Sequence, residues 1–270
     1  MASNKREGRG PAHVMVNFFA HLVAFTCSFI DLPYGIVAKL ANPCRDPSFF
    51  KRVDTDLRRR RGLVIILGGV EGPSIFNSQM GYGLARSRLR TAIRRIDWND
   101  GPFLIRSAIN LMSPAHHERQ ARRVADEIVE YRRCHSNGRV SLIAQSGGCW
   151  IAVRTIELLP PEMEISTCVL LASAISPRHD MAPAAAKCSN GLYSFRSIAD
   201  WFYLCFGTTV FGTSDRLRRP SAGQVGMRHM PTGVHEMSWQ PAWMRWGYVG
   251  NHTSSTSPAF IQNVVAPLMK

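Results

Sequence analysis

Residues Val140 to Gly148 read VSLIAQSGG: an apolar run, a serine, two glycines, and then a helix-forming stretch. A strand that turns sharply into a helix presents the residue at the turn at its carboxyl end, and small neighbours are needed because the turn is tight. Ser146 is therefore a candidate nucleophile of the elbow type, with Gly148 in the second glycine position of G-x-S-x-G and Ala144 in the first. A serine hydroxyl is a weak nucleophile near neutral pH. It needs an imidazole to take its proton and a carboxylate to hold the ring in one tautomer. Elbow hydrolases carry these groups in the chain order serine, acid, histidine. Asp200, just beyond Tyr193-Ser194-Phe195, and His252, just beyond Tyr248-Val249, fit that order at the ends of two expected strands. Asp180 is an alternative acid, and Asp215 and Glu236 are further ones; His179, His229 and His235 are other imidazoles in polar surroundings. Read without chemistry, Asp200 is a helix cap before Trp201 and His252 a surface histidine.

Acyl transfer also needs two backbone donors aimed at the oxygen on which negative charge develops. Gly147 N–H follows the serine and supplies one. The other should come from the loop after the first clear strand, Gly68-Gly69-Val70-Glu71-Gly72, with Val70 N–H as the candidate donor and Gly69 and Gly72 permitting close backbone approach. Taken alone, that run is only a glycine-rich turn. It lacks the Lys and Ser or Thr of a phosphate-binding loop, and the GxGxxG fingerprint is absent. Chemistry of this kind requires neither a metal nor an organic cofactor, and its partner is a small-molecule acyl substrate.

The elements that must position these groups follow from short apolar runs bounded by turn residues. Strands are expected at 63–67, 91–98, 139–144, 167–174 and 191–196, with Tyr248-Val249 closing the last one. Helices are expected at 75–89, at 116–134, where Val124, Ile128 and Tyr131 recur at helical spacing, at 149–159 before Pro160-Pro161, and at 258–268. The stretch 99–114 reads as a loop with a short helix, and 44–61 as a polar lead-in. Strands alternating with helices indicate an α/β class with a mostly parallel sheet covered on both faces. The chain divides into an N-terminal hydrophobic segment with its lead-in, 1–61, and one α/β domain, 62–270. The interval 206–245 is either a lid or substrate-facing excursion or an ordinary connection. Trp201, Phe202, Tyr203 and Phe206 could line an acyl pocket or pack a helix.

With 270 residues, one large α/β domain can bury a substantial core. The formal charge of +14 favours anionic surroundings. The basic residues are dispersed, though, and no zinc-finger spacing or helix-turn-helix accompanies them, which argues against a nucleic-acid role. Arg216 to Arg219 could steer an anionic substrate or membrane surface, or form a solvated loop. Seven cysteines include no CxxC pair, so neither a metal site nor a disulfide framework is indicated. Lys5, Arg6 and Arg9 precede the mainly apolar run Val14 to Ile30, which reads either as an export signal or membrane anchor, with Cys27 the candidate for lipidation, or as an amphipathic or buried helix. Localisation is accordingly exported or membrane-associated, or else cytoplasmic.

At these residues the sequence resembles the α/β-hydrolase superfamily from about Gly62 to Leu268. It is especially similar to a group of uncharacterised bacterial serine hydrolases, many of which begin with a signal or lipoprotein-like segment. That group's Gly-x-Glu-Gly loop is matched by Gly69-Val70-Glu71-Gly72, and its Gly-His-Ser-Gly-Gly elbow by Ala144-Gln145-Ser146-Gly147-Gly148. Gly191 to Phe195 through Asp200-Trp201, then Phe211-Gly212-Thr213 with Asp215-Arg216, match two further tracts. Gly250-Asn251-His252 ahead of Ser257-Pro258-Ala259-Phe260 matches the terminal one. The resemblance implies the acid and base named above. Ala144 and Gln145 depart from the group's pattern beside the nucleophile while leaving the triad members in place. The same resemblance would also accommodate acyl transfer by this triad, or a catalytically silent binding or scaffold protein if the alanine misplaces the turn.

Overall fold

The computed structural model describes residues 11–41, 47–99 and 113–270. Six strands form one sheet: β1 Leu63–Leu67, β2 Ala92–Ile96, β3 Val140–Gln145, β4 Thr167–Leu171, β5 Leu192–Arg196 and β6 Val234–Ser238. Every adjacent pair is parallel, in the order β2-β1-β3-β4-β5-β6. Every residue of β1, β3 and β4 is buried, as expected of strands covered on both faces. Their side chains alternate between two cores. Leu63, Ile65 and Leu67 face one, with Leu142, Ala144, Cys168 and Leu170; Val64 and Ile66 face the other, with Ile143, Val169 and Leu171.

Helices cover both faces. The first core is closed by α5 (Pro114–Cys134), through Ala121, Val124 and Ile128, and by α6 (Gly148–Leu158), through Ile151, Ala152 and Ile156. The second is closed by α4 (Ile75–Arg86) and by the terminal helical run that starts at Pro258–Phe260, with Met80, Leu84, Phe260, Ile261 and Val265 inside. The result is a mixed α/β fold with a parallel sheet flanked by helices, consistent with an α/β-hydrolase fold. The chain leaves β1 toward β2 on one side and returns to β3 on the other. Sheets of this kind open a crevice at the carboxyl ends of the two strands where the order reverses.

Two regions depart from the sequence reading, and a third lies largely outside the described residues. The polar lead-in contains two short helices, α2 (Pro47–Val53) and α3 (Asp56–Arg59). Helices this short need tertiary support: Phe49 and Phe50 pack on the second core, and Asp54 takes ion pairs from Arg59 at 2.7 Å and Arg94 at 2.9 Å. The stretch expected to be a loop with a short helix, 99–114, lies largely outside the described residues.

The second departure is the last strand, which is Val234–Ser238 and not Tyr248-Val249. Its sequence, VHEMS, has no apolar run because it is an edge strand. Cross-strand pairs hold it to β5: Tyr193 stacks on His235 with ring centroids 4.8 Å apart, and Arg196 pairs with Glu236 at 2.6 Å. The interval 206–245, read as a lid or a connection, thus carries sheet in its carboxyl half. Tyr248 packs its ring 4.7 Å from Phe260 and 6.0 Å from Trp243, and Trp239 Nε1 donates to its carbonyl at 2.9 Å. A wholly buried ring at this junction makes Tyr248→Ala costly: about 3–5 kcal/mol in urea unfolding, as for other large aromatic truncations. A loss below about 1 kcal/mol would mean that the ring is not part of the core.

Candidate active site

The strand β3 ends at Gln145, and Ser146 turns the chain with φ of +56°, in the left-handed region. For a residue with a Cβ this costs roughly 1–2 kcal/mol, so the surroundings must hold it. They do so through the backbone. Ser146 N–H donates to the Leu171 carbonyl at 3.0 Å, and the Ser146 carbonyl accepts from Cys149 N–H at 3.1 Å and Ala174 N–H at 3.3 Å. The helix α6 begins at once, at Gly148, where a methyl group would overlap the carbonyl oxygens of Gly68 and Leu67. Only glycine lets the start of α6 sit this close to the end of β1. Ala144 lies in register between Leu67 and Leu170, wholly buried in the first core, so its methyl is taken up by packing and the turn forms beyond it. Gln145 is also buried, and its Oε1 has no hydrogen-bond partner among the described residues.

The loop after β1 meets this turn. A Cβ on Gly147 would come within 2.7 Å of Val70 Cγ1, so the two residues touch. Trp98 Nε1 donates to the Gly68 carbonyl at 2.7 Å and Asn99 Nδ2 to the Gly69 carbonyl at 3.2 Å, which fixes the loop's carbonyls. Gly72, at φ +74°, ends the turn. Among the described residues, neither Val70 N–H nor Gly147 N–H donates to a backbone carbonyl.

Asp200 follows β5 and His252 follows the loop 247–251. Asp200 Oδ2 and His252 Nδ1 lie 2.6 Å apart, both buried. The ring nitrogen donates to the carboxylate, which leaves Nε2 as the basic position. Burial works against charging this ring. Asp200, by charge and hydrogen bond, and then Asp31 and Glu71 more than offset it, and His252 is held above the ordinary imidazole value. Tyr203 stacks on the imidazole with centroids 4.5 Å apart. Among the described residues, Ser146 Oγ makes no hydrogen bond to His252; in unliganded enzymes this contact is often loose. Glu71 spans the two groups: its carboxylate lies against Gly69, whose Cβ position is 3.3 Å from Ser146 Cβ, and its charge acts on His252.

The other weighed residues lie elsewhere. Asp180 is exposed and accepts from Ala182 N–H at 2.9 Å, capping a short helix. Asp215 accepts from Ser176 N–H at 2.8 Å. Glu236 and His235 sit in β6 on the partners named above. His179 lies 3.5 Å from Glu157, and His229 is exposed.

One residue of the site came from an unexpected place. The apolar N-terminal run is a helix, α1 (Pro11–Ala41), which packs on the segments 202–207 and 241–246. Asp31 on this helix is buried under the histidine loop. It accepts from Asn251 Nδ2 at 3.0 Å, His252 N–H at 2.8 Å, Thr253 N–H at 3.3 Å and the Thr253 hydroxyl. The one signal available in the sequence was its isolation: between residues 17 and 38 it is the single Asp, Glu, Lys or Arg. A mainly apolar cavity of about 330 Å³ opens between Ile30, Asp31 and Tyr34 of α1, Phe76 and Gln79 of α4, and the 247–258 segment.

A comparison with solved structures finds similarity to a chain described as "Crystal structure of esterase PE8", with 14% identity and a TM-score of 0.42, covering 78% of this chain and 95% of that one. No protein-family model matches the chain, and no curated protein matches it.

Asp31→Ala would leave four donors of the histidine loop without their acceptor. A loss of about 3 kcal/mol is expected in urea unfolding, and Asp31→Asn, which keeps one oxygen, should lose less. A loss below about 1 kcal/mol for Asp31→Ala would show that the helix is held by packing alone.

Proposed function

We propose that the chain is a serine hydrolase that cleaves an ester or related acyl bond through an acyl-enzyme intermediate. The observation that carries this reading is the buried 2.6 Å hydrogen bond between Asp200 and His252, in a chain whose Ser146 sits in a left-handed turn between β3 and α6. A carboxylate and an imidazole sequestered together are expensive to maintain, and are found where a base must be oriented.

In this mechanism Ser146 Oγ attacks the acyl carbonyl carbon while His252 Nε2 takes its proton. Asp200 holds the Nδ1–H tautomer and stabilises the imidazolium that forms. The tetrahedral oxyanion is met by the N–H groups of Val70 and Gly147. His252 then protonates the leaving alcohol or amine, and the acyl-serine forms. Water attacks the acyl-serine with His252 as base, which releases the acid and restores Ser146. Gly69, Gly72, Ala144 and Gly148 shape the turn and its facing loop. The closer likeness to bacterial hydrolases with Gly-x-Glu-Gly and elbow motifs belongs to the same proposal.

The labelling test uses intact mass after exposure to a fluorophosphonate. The wild type should gain one adduct, and Ser146→Ala none; an adduct retained by Ser146→Ala would remove Ser146 from the mechanism. The pH dependence has a definite sign. The base acts when neutral and its pKa is raised, so kcat/KM should rise with pH through an inflection above the ordinary imidazole value. Asp200→Asn removes the largest raising influence. It should move the inflection down and lower kcat by roughly 10³–10⁴-fold. An inflection unmoved by Asp200→Asn would assign the titration to another group.

A further inference from the structure

The helix α1 is oriented opposite to a surface helix of a water-soluble domain. Such helices bury their large apolar side chains and expose polar ones. Here the face turned to the protein is small or polar: Ala24, Ser28 and Asp31 are buried, and Ala20 and Gly35 half-buried. Ser28 donates to the Ala199 carbonyl, and Gly35 lies where a Cβ would be 3.2 Å from the Tyr203 hydroxyl. The opposite face carries Phe18, Phe19, Leu22 and Ile30, each between 50% and 64% exposed. At 3.6 residues per turn, the exposed apolar arc covers about half of the helix circumference. A second element extends it: Phe206 lies on the segment 202–207 against which α1 packs, and Phe211 on the short helix that follows, both more than half exposed.

We infer that this face docks on an anionic lipid bilayer, with α1 lying in the plane of the interface. The polar chemistry of the face favours lipid over a protein partner. Thr26, the hydroxyl on the exposed arc, donates to the Leu22 carbonyl of its own helix at 2.9 Å, and His21 Nδ1 bonds to the Asn17 carbonyl at 2.7 Å. Groups satisfied within the helix are what a hydrocarbon environment requires. Charge agrees with this assignment. Arg245, on the other segment touching α1, is exposed. The acidic residues of these elements are turned away: Asp31 and Asp200 are buried, and Asp215 is engaged by Ser176 N–H. The chain as a whole carries a formal charge of +14.

The mode is peripheral. Among the described residues no helix is long and apolar enough to cross a membrane. The inner face of α1 is also fastened to the domain through Asp31, so only its outer face can enter lipid, to a depth of roughly 5–10 Å.

The docked face borders the candidate site. Trp201, next to Asp200, has Phe25 stacked on it at 5.6 Å and Phe29 edge-on at 4.7 Å, and Tyr203 stacks on His252. Resting on the hydrolase reading above, this position assigns the substrate class as lipid-borne acyl esters, drawn from the surface on which the enzyme sits.

The test is flotation of the full-length chain with vesicles of phosphatidylcholine alone and of phosphatidylcholine mixed equally with phosphatidylglycerol. The wild type should float with the mixed vesicles and more weakly with the neutral ones. Phe19→Glu/Ile30→Glu should reduce bound protein at least tenfold. Phe206→Glu, on the other element, tests the same face independently of α1 folding and should weaken binding too. Arg245→Glu should act on the mixed vesicles alone, and Leu57→Glu, at an equally exposed leucine on α3, should change nothing. Ser146→Ala should float as the wild type does, so a failure of the hydrolase reading leaves this result standing, and failed flotation leaves fluorophosphonate labelling untouched. The inference is overturned if the wild type does not float, if both the α1 and Phe206 variants float unchanged, or if light scattering shows a dimer that Phe19→Glu/Ile30→Glu dissolves while no vesicle binding occurs.

Discussion

A carboxylate removed from water is favoured where donors meet its oxygens, because the desolvation penalty is several kcal/mol. Asp31 meets that condition with donors from three consecutive residues, and the Asp31–His252 contact joins positions 221 apart in the chain. The N-terminal helix and the histidine loop are thereby one unit. Burial pushes the Asp31 carboxyl above the usual range, while the Thr253 hydroxyl and the charge of His252 draw it back. The loop has no neighbouring strand to hold it. Its geometry depends on this carboxylate, on the short helical turn Thr253–Thr256, and on Tyr248 wedged into the second core.

The electrostatic character of the site follows. A chain with 33 Lys and Arg against 19 Asp and Glu places Asp200, Asp31 and Glu71 around a single imidazole. Those three carboxylates lie at the carboxyl end of the sheet, whereas others, Asp56 and Glu130 among them, are exposed on the surface. Local charge at His252 is thus opposite in sign to the charge of the molecule. The protonated form of His252 is thereby favoured, while the net charge of the molecule attracts anions from outside.

The turn at Ser146 depends on a different constraint, steric and not electrostatic. Ser146 keeps a left-handed conformation because β4 supplies an acceptor for its N–H, the chain after β4 supplies a donor to its carbonyl, and Gly148 lets α6 close on β1. Packing density then decides what is tolerated nearby. Ala144 has space inside the first core, whereas Gly148 has none.

Much of this could be read from sequence. The two-sided burial of β1, β3 and β4 writes itself as continuous aliphatic runs, and the strand-serine-glycine pattern at 140–148 encodes its turn locally. Chain order only nominated Asp200 and His252, with Asp180 left as an alternative acid, and the strand assumed before His252 was misplaced. Edge strand β6 was missed because an edge strand needs no apolar run; its cross-strand partners are distant in sequence. Asp31 was missed for a related reason. A lone acid in an apolar run carries no periodic signal, and its role arises from contacts more than 200 residues away. Sequence alone determined the local chemistry: which strands are apolar, and where a serine could be strained into a turn. Tertiary structure alone decided which acid meets which imidazole, and which face of the first helix is left to solvent, since both depend on contacts between segments that have no local relation in the chain.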